Sequence, residues 1–283
     1  MAHAGLAPTA ALRHALADGV RAVFHDRAAQ SAPIVRSPGA LFAPDSVIWR
    51  VHGDVTTMMV GGISALLMQM LHPAALAGIW DHSTFRGDML GRLRRTARFI
   101  AMTTYANEAD ALAAVARVRD VHARVTGTMP DGTAYGANDP RLLAWVHVTE
   151  ATSFLDAWIR YGEPDMSLAD QDAYFAQFAA IARLLGADPV PSTRAQAVAL
   201  IAQMRPELRA DERTREVARL VLHQRPYTLA AAPVQAMIMA AAVDILPRWA
   251  SDMHGLGVVR LSRPIARLST TMIAQTIRWA FAS

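Results

Sequence analysis

Five side chains carry the chemistry this sequence could do: Arg92, Arg95, Thr96, His122 and His147. Helical spacing over residues 92–104 puts Arg92, Arg95, Thr96 and Phe99 at i, i+3, i+4 and i+7, so two guanidinium groups, a hydroxyl and a ring share one face. Phe99 and Ile100 continue the apolar pattern on that side, which draws at least one Arg inward, and a buried Arg needs an anionic partner. Asp81, Asp88, Asp120 or the acidic arms of a bound cofactor would supply it.

A second helix follows Tyr105. Asn107 is a good N-cap, Glu108 and Asp110 place acid where the helix dipole favours it, and Gly127 is read as the C-terminal stop. Its apolar stripe is Val115, Val118, His122, Val125, so His122 fills a slot that calls for an aliphatic residue. One reading is a core histidine bonded to a carbonyl. The sharper one is a haem ligand, which needs a neutral imidazole with a bare nitrogen in a dry pocket. His147 has an equivalent place on a helix opened by Asp139–Pro140, near Leu143, Ala151 and Phe154. It could share a metal with His122, or bond Glu150 or a carbonyl.

Composition removes other chemistries. There is no Cys, hence no disulfide, thiolate nucleophile or Cys-type metal site. No P-loop, Ser nucleophile elbow or paired Glu-x-x-His motif is present, and the spacing of His72 and His82 fits no zinc pattern. All 28 cationic residues are Arg and they are scattered, so a net charge of +4 marks no nucleic-acid surface. A weak attraction to acidic membrane surfaces is the only membrane contact the charge suggests. The N-terminus interrupts its apolar part with His and Arg and does not read as a signal peptide, so the expected location is cytoplasmic. The longest apolar runs, 58–71 and 228–246, are too short or too broken for the roughly 20 residues of a membrane span.

The positioning elements are helices. With 53% hydrophobic and 18% charged residues the chain packs a large core, and no β-alternation, repeat or linker divides it. Helices are expected over 8–30, in a short segment through Trp49 and His52, and over 55–72, where Gly61 and Gly62 allow close approach of another element. Residues 74–90 read as a helical turn and a loop. Beyond a loop at 128–140 come helices ending at Gly162, then over 168–185, 192–204, 212–222, 233–246 and 265–282. The fold class is all-α, a single multi-helix domain over 1–283.

The segments GGISALLMQMLHP, WDHSTF, RLRRT, VHARVTG, YGANDPRLLAWVH and ILPRWA, in that order over about residues 45–265, resemble the bacterial and fungal oxygenase family typified by latex clearing protein (rubber oxygenase) and the mycophenolic-acid pathway oxygenase. That resemblance implies a globin-like helical core holding a b-type haem. It makes His122 the proximal ligand and Arg92 and Thr96 the Arg-x-x-x-Thr pair beside the haem. Arg95 stands where the latex enzyme has a Lys able to occupy the distal side, a state closed to a chain without Lys. For that enzyme's catalytic Glu the nearest candidates are Asp81 and His82.

The function expected is a haem b-dependent oxygenase oxidising an apolar small molecule with O2. Arg92, Arg95 and Thr96 would act at the haem, and the helices around 58–70 and 236–243 would line a substrate cavity. The alternatives are a non-catalytic helical protein that binds haem or a lipid, and a packing-only domain in which His122 is a satisfied core residue.

Overall fold

A sharp bend at Pro73 sets the frame of the molecule. A computed structural model describes residues 33–224 and 232–256, and the expected helices at 8–30 and 265–282 lie outside the described residues. Within them the chain forms eleven α-helices: α1 Val47–His52, α2 Val55–Gln69, α3 Pro73–His82, α4 Met89–Tyr105, α5 Glu108–His122, α6 Pro140–Tyr161, α7 Leu168–Leu185, α8 Arg194–Met204, α9 Glu212–Leu222, α10 Ala232–Ile245 and α11 Arg248–Met253. A 3-10 turn, Arg205–Glu207, follows α8. Two short strands, β1 Thr126–Thr128 and β2 Ala134–Gly136, pair antiparallel between α5 and α6.

Local chemistry explains most boundaries. Asp54, Asp88, Asn107, Asp139, Ser167, Thr193 and Asp211 each accept a hydrogen bond from a backbone N–H in the first turn of the helix they open. Pro140 follows Asp139 at the first helical position, where its missing N–H costs nothing. Pro73 does the same for α3, with His72 as cap, so residues 73–82 form a ten-residue helix where the sequence suggests only a turn. α2 and α3 meet at 103°.

α2 is buried on nearly every side, between α6 and α10, and its contact with α6 is the most extensive between helices among the described residues. Gly61 makes this approach possible: a Cβ there would lie 2.7 Å from Phe154 Cδ1 and 2.9 Å from the Ser153 carbonyl. One continuous core runs through Trp145, Leu155, Tyr174, Phe175 and Met204. The residues expected to line a cavity, 58–70 and 236–243, mostly belong to this packed interior. Among the described residues no single helix is long and apolar enough to cross a membrane.

Two boundaries differ from expectation. α5 stops at His122, with Ala123 as its C-cap, so Gly127 does not end the helix but pairs with Tyr135 in the hairpin. The hairpin closes through Gly132 at φ +88°, a left-handed position that glycine adopts without strain. Strands of three residues are too short to show a period of two, and so are invisible to pattern reading. α11, beyond Pro247, is a further six-residue helix.

Candidate functional site

α3 and the loop after it, α4, the end of α5, the hairpin and the start of α6 line a half-open cleft of about 390 Å³. α3 contributes small residues, Ala74, Ala75 and Gly78, so its backbone forms a smooth floor. Leu142, Leu143 and Val146 of α6 with Val121 and Val125 give apolar walls. The polar lining is His82, Ser83, Thr84, Arg92, Arg95, His122 and Tyr135.

His122 is the last residue of α5 and half-buried. Its Nδ1 is shielded from solvent and has no hydrogen-bond partner among the described residues. Burial pushes its pKa down, and the Arg92 guanidinium pushes it the same way, so the ring is held neutral. A neutral imidazole with an unpartnered nitrogen is chemically able to bind a metal.

The two arginines divide. Arg95 is exposed and pairs with Asp88 at 3.2 Å, the residue that also caps α4. Arg92 turns inward, half-buried; burial lowers its pKa to about 10, the Arg95 charge acts the same way, and Glu150 opposes them. Among the described residues no carboxylate reaches Arg92 within ion-pair distance. Of the three expected partners, Asp88 is engaged with Arg95 and Asp81 accepts the Tyr135 phenol, while Asp120 lies exposed on α5.

Thr96 and His147 are placed elsewhere. Thr96 is exposed, donates a 3.3 Å hydrogen bond to the Arg92 carbonyl, and is not among the residues lining the cleft. His147 faces α7, its ring 4.9 Å from that of Phe178, with Nε2 buried and unpartnered. Burial takes it down to about 3. It therefore does not meet His122 in one cleft, and the described residues contain no group of three or more His, Asp or Glu able to hold a metal ion.

Two residues emerge that pattern reading does not place in the site, Glu150 entering it only as a partner for His147. Tyr135 lines the cleft from β2, its ring 6.3 Å from that of His82, and burial with Asp81 pushes its phenol up to about 12. Glu150 sits one helical turn beyond Val146, and burial raises its carboxyl to about 7 against the pull of Gln69 and Arg92. A Glu at i+4 from Val146 and i+7 from Leu143, on an apolar face of a central helix, was the available signal.

Fold and cleft together define an all-α protein with a half-open pocket whose lining includes an imidazole with an unpartnered Nδ1. Residues 49–279 match the family described as ER-bound oxygenase mpaB/B'/Rubber oxygenase, catalytic domain, and the chain belongs to that family. No curated protein and no solved structure gives a significant match.

Proposed function

We propose that the chain is a haem b-dependent oxygenase that uses O2 to oxidise an apolar small molecule such as an isoprenoid, a lipid or a secondary metabolite, with His122 as the iron ligand. The observation that carries this reading is the His122 imidazole: its pKa held down by burial, its Nδ1 without a hydrogen-bond partner, and its ring at the wall of a cleft in an oxygenase-family chain.

The residues present fit the group. A shielded ring nitrogen without a partner is an unfavourable arrangement that a metal bond would relieve. The cleft has the mixed lining of a cofactor pocket, apolar side chains together with two arginines. When bound, haem would supply the iron that activates O2. His122 would hold it from the end of α5. Arg92 and Arg95 would receive its acidic arms, Arg92 from inside and Arg95 from the rim, where it would have to share itself with Asp88. Leu142, Leu143 and Val146 would exclude water from that face.

Titration of the purified protein with haemin, followed by absorption, tests the assignment. A Soret band that forms in the wild type and is lost or shifted in His122→Ala is expected. No uptake by either protein would remove the cofactor from the proposal. Oxygen consumption with isoprenoid and unsaturated lipid substrates then separates an enzyme from a carrier.

A further inference from the structure

The hairpin that lends Val125, Tyr135 and Ala137 to the cleft is bonded mostly within itself. Beyond the strand pairing, Met129 N–H donates to the Thr133 carbonyl at 2.8 Å and Gly132 N–H to the Met129 carbonyl at 2.9 Å. Thr133 N–H finds Asp131 Oδ1 at 2.9 Å, so the tip satisfies its own backbone. The base is held together by the Ala137 N–H, which donates to the Val125 carbonyl at 2.9 Å, and is tied to α5 by Asn138 Nδ2, which donates to the Arg119 carbonyl at 3.1 Å. From Thr126 to Gly136 the one buried residue is Tyr135.

Both strands rest on α3, over the bare backbone of Gly78: a Cβ there would lie 3.4 Å from Val125 Cγ1 and 3.9 Å from Tyr135 Cε2. Two side-chain bonds fasten them, both at the last turn of α3. Tyr135 donates to Asp81 Oδ2 at 2.7 Å, and His82 Nε2 donates to the Thr126 carbonyl at 3.0 Å, since a carbonyl can only accept. Asp81, His82 and Thr126 are exposed, so water can take over these bonds when the strands leave α3. An element that carries its own hydrogen bonds, buries one side chain and is fastened at the solvent edge lies at the low-stability end of a fold.

We propose that residues 125–137 form a flap on the cleft, latched to α3 by the Tyr135–Asp81 and His82–Thr126 bonds, which swings from α3 as a unit to admit the ligand. The proposal rests on the cleft being the binding site described above, and not on haem being its occupant. The hinge lies where Asn138 and the last turn of α5 hold the base, so His122 keeps its place while Val125 and Tyr135 move. Gly78 gives the closed flap its flat seat, and the two latches set how often it opens.

A reversible cross-link tests the flap. The chain has no Cys, so Gly78→Cys with Val125→Cys introduces its one thiol pair, at positions where the Cβ of one would lie 3.4 Å from the Cγ1 site of the other. Two rates are compared in the oxidised and reduced forms of this variant: uptake of haemin, and acetylation of Tyr135 by N-acetylimidazole, read by mass spectrometry. Both should be at least about tenfold slower when oxidised and recover on reduction, because the bridge removes an open state populated at the level of a few per cent or less. Without the bridge, His82→Ala should speed Tyr135 acetylation roughly two- to tenfold, the population change one neutral hydrogen bond is worth. Failure of the pair to cross-link contradicts the seat on α3 and overturns the proposal. Equal acetylation in the two forms overturns the flap, and equal haemin uptake with unequal acetylation overturns its role as a gate. If neither form takes up haemin the cofactor assignment fails, and acetylation alone decides for or against the flap.

Discussion

The Tyr135 phenol donates a 2.7 Å hydrogen bond to Asp81 Oδ2, joining two residues 54 positions apart at the edge of the cleft that holds His122. The bond ties the hairpin to the end of α3. It also keeps the phenol protonated, since ionisation would set two negative charges against each other in a partly buried place. Tyr135→Phe should lower stability by about 1 kcal/mol, the usual net worth of such a bond. Chemical denaturation reads the loss, and ultraviolet titration should show one fewer phenol ionising late, toward about 12. Equal stability of variant and wild type would mean the bond contributes nothing.

Gly127 lies under the same ring. A Cβ at this position would sit 2.6 Å from Tyr135 Oη and 2.8 Å from Cε1 and Cζ, and the Asp81 bond restrains the ring from swinging away. Gly127→Ala should therefore cost about 1–3 kcal/mol, an overpacking penalty. The double variant with Tyr135→Leu should cost less than the sum of the two single changes, because the clash disappears with the ring. Additive losses would show that Gly127 serves something other than Tyr135.

Much of this was legible in the sequence, for identifiable reasons. Helix starts such as Asn107 and Asp139–Pro140 are local: a cap needs only its own first turn, and both caps form as the residue types suggest. The segment Leu168–Leu185 begins after a Ser cap and ends at Gly186, which takes φ +97°. Arg92 and His122, 30 positions apart in sequence, both line the cleft.

What spacing could not decide was which way a residue turns once two faces of a helix are apolar. Arg92 and Thr96 are one turn apart on α4, yet the first is drawn in and the second lies in solvent, bonded to the backbone of Arg92 itself. On α6 His147 does face inward, but toward Phe178 and α7, while Val146 beside it lines the cleft. The Tyr135–Asp81 and Gln69–Glu150 pairs depend on chain crossings 54 and 81 residues apart, which no local pattern contains.

The two adjacent glycines of α2 should behave differently. At Gly61 a Cβ would meet the Phe154 ring, the Phe154 Cα and the Ser153 carbonyl, all under 3.0 Å, and backbone atoms cannot give way cheaply. At Gly62 the nearest such contact is Phe154 Cε1 at 3.6 Å, ordinary van der Waals distance. Gly61→Ala should destabilise by at least about 1–3 kcal/mol by forcing α2 and α6 apart. Gly62→Ala should be neutral or stabilise by up to about 1 kcal/mol, since Ala is the better helix former. Thermal unfolding of both variants makes the comparison, and similar losses at the two positions would contradict the packing described.

The buried histidines make a prediction about acid. His52 and His147 both sit against Phe178, and burial pushes each down to about 3. An unfolded chain protonates these rings near 6.5, so the folded state binds fewer protons: their contribution to stability is complete above about 6.5 and drains away as pH falls toward about 3. Their hydrogen bonding differs. His52 is satisfied at both nitrogens, by Thr104 at 2.9 Å and Tyr174 at 3.0 Å, whereas Nε2 of His147 has no partner. His147→Leu should change stability by less than about 1 kcal/mol at neutral pH while shifting acid unfolding to lower pH, since it removes a titrating group that no bond requires. His52→Leu should shift acid unfolding in the same direction but cost about 1–3 kcal/mol at neutral pH, because the Tyr174 hydroxyl is left buried and unpaired. Circular dichroism against pH, with chemical denaturation at neutral pH, reads both effects. An unchanged acid midpoint in His147→Leu would show that its ring is not kept neutral, and equal neutral-pH losses in the two variants would show that the His52 bonds do not matter.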